Sequence, residues 1–596
     1  MKLYKISLAL ILGLGTMTSC EDKLELTNPN QQTTGTYGNT VSELEEGVIA
    51  AYNHTRMEGT YARVGYMIDV CRGDEVWNSS QVWYMPFDDL NEPITDEIGQ
   101  WSWRDWYYTI NVCNYVLSRV GEDYSAISSD QMKYIAGQAL FIRGLAYYNL
   151  AGYYQNPALI TDYNQYSSLD GLYISNGSKE DPNAQYDAVW DQVEEDFKNA
   201  LELLPTKALG GEWAKGRATK GSAAGFLARA LMMRHKYSDA LTYLKNIING
   251  QYGTYALMKN YGDNFREGSA YENNDESIYE VQYLDYGTQG TDDEWTPVNT
   301  SANATQGSAI ESNFGPGRFG GWADLSASPW LYNLFKAEKT TSGKLDPRLY
   351  WTIGTYEIDW EGFEYGNKAY TETISDDDFV VTNNNYGGLP VAKFTNLRTG
   401  LYDKVVTGLH DGINLRLMRY SDVLLRAAEC INELDGDRAE AVEYINQVRR
   451  RAELADLKAS DFTDKDKLFE QIANVERPKE FGCETGRGFD LIRWGFFYSA
   501  DRLQQIKEHA AVNFWTQANY DDGVIDFTPK DPVDYDGCSK SSYDTWLAGH
   551  EFLPIYQGTL NDNSNLVGNS ANYGTSNANY FSSKGWSVHP VVDLSK

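Results

Sequence analysis

Residues 417–425 read Leu417-Met418-Arg419-Tyr420-Ser421-Asp422-Val423-Leu424-Leu425, and with the thirty residues after them they decide the fold. Leu417, Tyr420, Leu424, Ala427, Ile431 and Leu434 recur every three or four residues, which places them on one helix face. Asp435-Gly436-Asp437 then turns the chain. Ala441, Ile445, Val448 and Ala452 begin a second apolar face directly after the turn. Two amphipathic helices joined by so short a turn pack as an antiparallel pair. A similar pair stands upstream. Ala224, Leu227, Ala228 and Leu231 form one face; Tyr237, Ala240, Leu241, Leu244, Ile247 and Ile248 form the next, ended by Gly250. The second helices align without gaps, Asp239-Ala240-Leu241-Thr242-Tyr243-Leu244 against Glu440-Ala441-Val442-Glu443-Tyr444-Ile445. Repeated helix pairs with a small Ala at the crossing are what a tetratricopeptide-like stack requires. Two unrelated amphipathic hairpins are the plainer alternative.

Working outward, helical patterns cover 41–56, 101–120, 131–154 and 187–204, the last stopped by Pro205. Between and after the pairs, 260–325, 352–412 and 511–596 are rich in Gly, Asn, Asp, Thr and Tyr. Short alternating runs such as 277–284 suggest a few strands there. The fold class is therefore mainly α: a scaffold of helical pairs carrying long loops and a few short strands. Loops this long in a compact protein are usually functional. At roughly 150 residues per domain, 596 residues allow about four domains or one large unit. One unit over 40–596 is expected.

The N-terminus carries its own signal. Lys2 and Lys5 precede an apolar run from Ile6 to Gly15, then small residues lead to Cys20. This is a secretory signal shape over 1–19, too short to span a bilayer. The cysteine at its end resembles a bacterial lipobox, with Met17 where Leu is usual. Cleavage before Cys20 would leave that residue lipidated, and several acyl chains anchor firmly where one is marginal. Residues 20–39 then read as a polar tether.

Composition narrows the function. Lys and Arg number 51 against 84 Asp and Glu, a formal net charge of −33. That balance excludes a nucleic-acid binder, which needs cations for phosphate, and a basic membrane-docking surface. The 16 Trp, 44 Tyr and 21 Phe exceed what a core requires and point to flat rings at a surface. Cys71, Cys113, Cys430, Cys483 and Cys538 are scattered with no C-x-x-C, so neither a disulfide scaffold nor a zinc site is expected.

Catalytic signals are weak. Gly315-Pro316-Gly317-Arg318-Phe319-Gly320 matches G-x-G-x-x-G without a preceding buried strand. His550-Glu551 begins H-E-x-x-H, but Pro554 stands fifth. The six histidines show no ligand spacing, and G-x-S-x-G is absent. Asp74-Glu75, Asp88-Asp89 and Asp376-Asp377-Asp378 are carboxylate pairs that a hydrolase could use, but 84 acids guarantee such pairs. No metal, cofactor or catalytic constellation is expected, and the chain reads as a binder rather than an enzyme. Trp83 and Tyr84 are predicted as a stacking platform for a sugar ring. Trp77, Trp295 and Trp322 are further candidate rings, and Arg72 and Asp74 candidate hydroxyl partners. The alternative is that these rings pin their own loops to the core.

Gln138–Tyr148, Ala218–Arg229, Leu417–Leu425 with Ala428-Glu429, and Tyr444–Arg449 together resemble the SusD/RagB family of outer-membrane nutrient-binding lipoproteins. Glu476-Arg477, Gly488–Gly495 and Phe552-Leu553-Pro554-Ile555 complete the pattern. Pro478, Thr485-Gly486 and Tyr556-Gln557 depart from it. The resemblance implies tetratricopeptide-like pairs under a ligand face, on a lipoprotein at the surface of the outer membrane. It implies capture of an oligosaccharide for a TonB-dependent, SusC-like barrel. Glu21-Asp22 resembles the acidic export tag of such lipoproteins. A surface glycoside hydrolase and a peptide-binding subunit of the same importer type are the alternative readings.

Cys20→Ala is expected to abolish acylation and membrane association. Lipid labelling and fractionation in cells lacking a partner barrel check this; a variant still bound to the outer membrane there would refute the anchor.

Overall fold

Helix formation in the first half is set by local capping. Thr40 caps the first helix, and Glu43 reaches back to the Thr40 backbone N–H at 3.0 Å. Asp96 and Asp181 cap two later helices by accepting from the Ile98 and Ala184 N–H groups, and Pro182 sits at the first helical position of its helix, where its missing N–H costs nothing. That cap starts the helix at Pro182, five residues before the apolar pattern suggests. The computed structural model describes residues 38–595, except 79–80, 122, 128, 168–172, 208–214, 285–306, 316–319, 355–363, 366–367, 370–388, 397–407, 409, 511–542 and 544.

Among the described residues, eight helices make the scaffold: α1 (Val41–His54), α2 (Glu97–Val120), α3 (Asp130–Tyr154), α4 (Pro182–Leu203), α5 (Lys220–Met233), α6 (Tyr237–Ile248), α7 (Tyr420–Glu433) and α8 (Arg438–Arg451). Each packs on the next in chain order. The two hairpins seen in the sequence are therefore adjacent in space, with α6 against α7, although a long excursion separates them. The fold is mainly helical, as expected. α3 lies at the centre and is buried on every side from Ile135 to Tyr154. Its glycines permit close approach: a Cβ on Gly144 would sit 3.0 Å from Phe197, and one on Gly152 2.4 Å from Phe489.

Short strands tie the excursion down. β2 (Ser277–Val281) pairs antiparallel with β5 (Leu415–Arg419), Ser277 opposite Arg419 and Val281 opposite Leu415. Leu417 thus belongs to a strand and not to the helix face assigned from periodicity; α7 starts at Tyr420, whose N–H donates to the Glu276 carbonyl. β3 (Leu325–Ala327) lies between β1 (Val76–Asn78) and β4 (Leu389–Pro390). After residue 545 the chain forms short helices, including Gln557–Asp562, Ser570–Tyr573 and Ala578–Ser583, where sequence suggested loops and strands. The buried apolar side chains form one continuous cluster from Leu44 to Ile555. Cys71, Cys113, Cys430 and Cys483 are buried free thiols; Cys538 lies outside the described residues. Among the described residues, no helix is long and apolar enough to cross a membrane.

Buried ion pairs lock the second half. Asp422 receives Arg229 from α5 at 2.8 Å, Arg426 at 2.9 Å and Arg477 at 2.8 Å. Asp490 receives Arg426 at 3.3 Å and Arg477 and Arg493 at 2.7 Å each. Glu429 accepts from Arg493 and from the Trp494 indole N–H, both at 2.8 Å. Burial favours the neutral acid, but the arginines outweigh it and hold Asp422 and Asp490 well below the usual carboxylate range. Beneath them Arg419 joins Glu276, Glu480 and Glu484 at 2.6, 2.8 and 2.8 Å.

Asp422→Asn should cost about 3–5 kcal/mol, because buried guanidiniums lose their counter-charge. The depressed carboxylates also give a pH dependence. Their contribution is complete above the ordinary Asp value of 3.8 and is lost as pH falls through the lower folded values. Urea unfolding of both proteins checks this. An unchanged midpoint for the variant at pH 7 would show that the network adds nothing.

Candidate functional site

The site begins at the connection between α1 and the helix Val64–Cys71. The chain is sharply bent there, and the Gly59 N–H donates to Asp105 at 2.9 Å. Arg63, at the end of the bend, is buried. Its Nη1 donates to Glu58 at 3.2 Å and its Nε to the Tyr84 hydroxyl at 3.1 Å. Its guanidinium also lies over the Trp322 ring, 4.7 Å from the centroid. Burial opposes the charge on Arg63, but Tyr84, Glu58 and Asp324 outweigh it and keep the group cationic.

Arg63 therefore joins two stretches that look independent in the sequence. The β1–β3 ladder does the same through the backbone. Asn78 stands opposite Leu325, so the segment following β1 and the segment preceding β3 emerge together. Trp83 belongs to the first and Trp322 to the second. Both rings are half-buried. Val82 beside Trp83 is 65% exposed, which places this corner at the surface. The first segment is fixed by Asn78, whose amide donates to the Gln81 carbonyl at 2.5 Å and accepts from the Gln81 N–H at 2.9 Å. The second is fixed by the Trp322 N–H on the Ser312 carbonyl at 2.7 Å and the Asp324 N–H on the Asn313 carbonyl at 2.8 Å.

Other predicted site residues lie deeper, and this corrects their roles. Tyr84 is 1% exposed and works through its hydroxyl on Arg63 rather than through an open ring face. Trp77 is buried because β1 is covered on both faces. Arg72 pairs with Glu92 and donates to the His550 carbonyl. Asp74 accepts from Arg487 at 2.6 and 2.9 Å and faces the His509 ring nitrogen at 2.7 Å. That ring stacks on Trp330, with centroids 3.7 Å apart. Burial would raise the Asp74 pKa, but Arg487 and His509 overcome it and hold the group far below the normal range. Neither Arg72 nor Asp74 reaches a surface where hydroxyls could bind. The physical reason is general: buried charges in a strand-bound segment are kept only if paired. Trp295 and Cys20 lie outside the described residues.

The carboxylate pairs give no hydrolytic site among the described residues. Asp74 and Glu75 are both enclosed, and burial pushes Glu75 up to about 8. Asp88 and Asp89 are enclosed as well, with Asp88 accepting from the Asn78 N–H at 3.1 Å. Asp376–Asp378 fall outside the described residues. No group of three or more metal-binding side chains occurs among the described residues. The arrangement offers two half-buried flat rings from different loops, the Gln81 amide beside Trp83, and a cationic, ion-paired Arg63 over the Trp322 ring. Flat rings flanked by polar groups have the chemistry to stack on and hydrogen-bond a neutral polar ligand. Arg63 and Glu58 escaped sequence reasoning because no motif marks them; only their place in space gives them a role.

Known proteins agree with this architecture. A model of the SusD family matches residues 275–574, and one described as "Starch-binding associating with outer membrane" matches 22–232. SusD-like protein P25 of Formosa agariphila is 25% identical over 527 residues, covering 84% of this chain and 90% of that protein. A SusD superfamily structure from Bacteroides vulgatus superposes with a TM-score of 0.68 at 23% identity, covering 90% of this chain and all of that one. Surface glycan-binding protein A from Bacteroides thetaiotaomicron, in complex with laminarihexaose, superposes with a TM-score of 0.62 at 20% identity over 89% of this chain and 99% of that one. The helical stack, the strand-tied excursion and a family match over half the chain lead to one conclusion: this protein belongs to the SusD family.

Proposed function

We propose that this chain is a cell-surface lipoprotein that binds an oligosaccharide and delivers it to a TonB-dependent outer-membrane barrel. The observation that carries the reading is that the half-buried Trp83 and Trp322 lie on the two segments that leave the β1–β3 ladder at the same end, with Arg63 bound to Tyr84 beside Trp83 and lying over the Trp322 ring. A pyranose presents a face of C–H groups, which suits an indole ring, while its hydroxyls suit the half-buried amide of Gln81. Fixing both loops before the ligand arrives lowers the ordering cost of binding. The similarity to a laminarihexaose-bound protein and to one described as a laminarin-binding SusD-like protein supports a glycan and makes β-glucan oligosaccharides the first probes. The family description supports an outer-membrane location, and Cys20 supplies the expected anchor. The enclosure of the described candidate carboxylates supports binding without turnover.

Two measurements test the reading. Titration with laminarihexaose and a panel of other neutral oligosaccharides should find a ligand, and Trp83→Ala and Trp322→Ala should each weaken it roughly threefold to tenfold, from about 0.5–1.5 kcal/mol per stacked ring. Tyr84→Phe keeps the buried ring and removes the Arg63 contact, so a smaller loss is expected. Full affinity in both Trp variants would move the site elsewhere, and no ligand across the panel would sink the glycan reading. Mild detergent extraction should also recover a TonB-dependent barrel in near-equal amount; repeated recovery of the lipoprotein alone would count against delivery.

A further inference from the structure

The end of the chain runs back over the scaffold. Its base is pinned: the Tyr580 hydroxyl and the Lys584 ammonium both reach Asp187 of α4 at 2.6 Å. From Trp586 to Asp593 the chain has no regular secondary structure and touches several elements. Trp586 stacks face to face on His235, in the turn between α5 and α6, with centroids 4.2 Å apart and planes 6° from parallel. Val588 lies against the turn at Gly495. Arg502 of the helix Ala500–His509 donates to the His589 carbonyl at 2.8 Å and the Pro590 carbonyl at 2.7 Å.

His589 sits at the centre of these contacts. Its Nδ1 is 2.5 Å from Asp466, on the helix Lys465–Gln471, and its Nε2 is 2.7 Å from Glu433, at the end of α7. The ring also stacks on Phe469, with centroids 4.0 Å apart. An ionised carboxylate only accepts hydrogen bonds, and a neutral imidazole donates from one nitrogen alone. Both contacts hold together only when both ring nitrogens carry protons. We propose that residues 586–590 form a strap latched by cationic His589, and that loss of its proton releases the strap from α7 and the helix Lys465–Gln471.

The surroundings favour one titrating latch. Burial would lower the His589 pKa, but Glu433 and Asp466 outweigh it and raise it above 6.5. Glu470 is engaged by Arg502 at 2.6 Å. His235, which holds the Arg493 carbonyl at 2.7 Å, is pushed down to about 4 by burial, so it stays neutral while His589 titrates. Burial and the nearby Glu433 keep the Tyr237 phenol protonated. A raised folded value means the latch is complete below about pH 6.5 and weakens as pH rises through that value.

Hydrogen exchange on the full-length lipoprotein from pH 5.5 to 9, corrected for intrinsic rates, tests the latch. Protection of the 586–590 peptide should fall about tenfold through one midpoint above 6.5, and Trp586 fluorescence should change with the same midpoint. His589→Gln should leave the strap weakly protected with no pH step. Glu433→Gln, which keeps the shape and removes one charge, should move the midpoint down. Flat wild-type protection across this range, the same step in His589→Gln, or an unmoved midpoint in Glu433→Gln would each overturn the proposal.

Discussion

Two buried carboxylates, Asp422 and Asp490, share between them the arginines of four different elements. Each charge would be costly alone in so dry a place, and together they are satisfied only in one geometry. That geometry fixes α5 against α7, and α7 against the helices Arg477–Phe481 and Arg487–Arg493. The strands and the ligand corner are built outward from elements so fixed. Apolar packing drives the stack together, but it is tolerant of small slips. A guanidinium donating in two directions is not, so the network adds registration to cohesion.

Much of the scaffold was legible because helices announce themselves by periodicity. Both hairpins were readable. What could not be read was neighbourhood. Nothing in 237–248 says that it lies against 420–433. Leu417 misled because a short strand leading into a helix can continue the helix spacing by chance, and only the partner strand at Ser277–Val281 decides between them. The motif residues had a further surprise. Asp422, Arg477, Asp490 and Arg493 carry the family resemblance, and all are scaffold ion pairs. The most recognisable positions thus say which fold is built and little about what it binds.

Which of the candidate rings reach the surface was not legible in composition. Trp83 and Trp322 stand half-exposed, whereas Trp77 and Tyr84, of the same chemistry and nearby, are enclosed. Trp83 and Tyr84 are consecutive residues and differ because Tyr84 is drawn in against Arg63, while Trp77 lies within a sheet that draws on segments near 77, 326 and 389. Arg72 and Asp74 show the same limit. Polar residues beside aromatic rings suggest ligand contacts, yet Arg72 is committed to a carbonyl 478 residues along the chain and Asp74 to a guanidinium 413 residues along it.

The meeting of α6 and α7 has a consequence for how such a protein can change. Because the two helices close the stack directly, the chain between them is tied at both ends to a finished frame. Lengthening a tied segment is inexpensive, about 0.6 kcal/mol for each doubling. Insertions there can reshape the recognition face while the frame keeps its stability. Mutational tolerance is therefore concentrated in the tied segment and not in the helices that hold its ends.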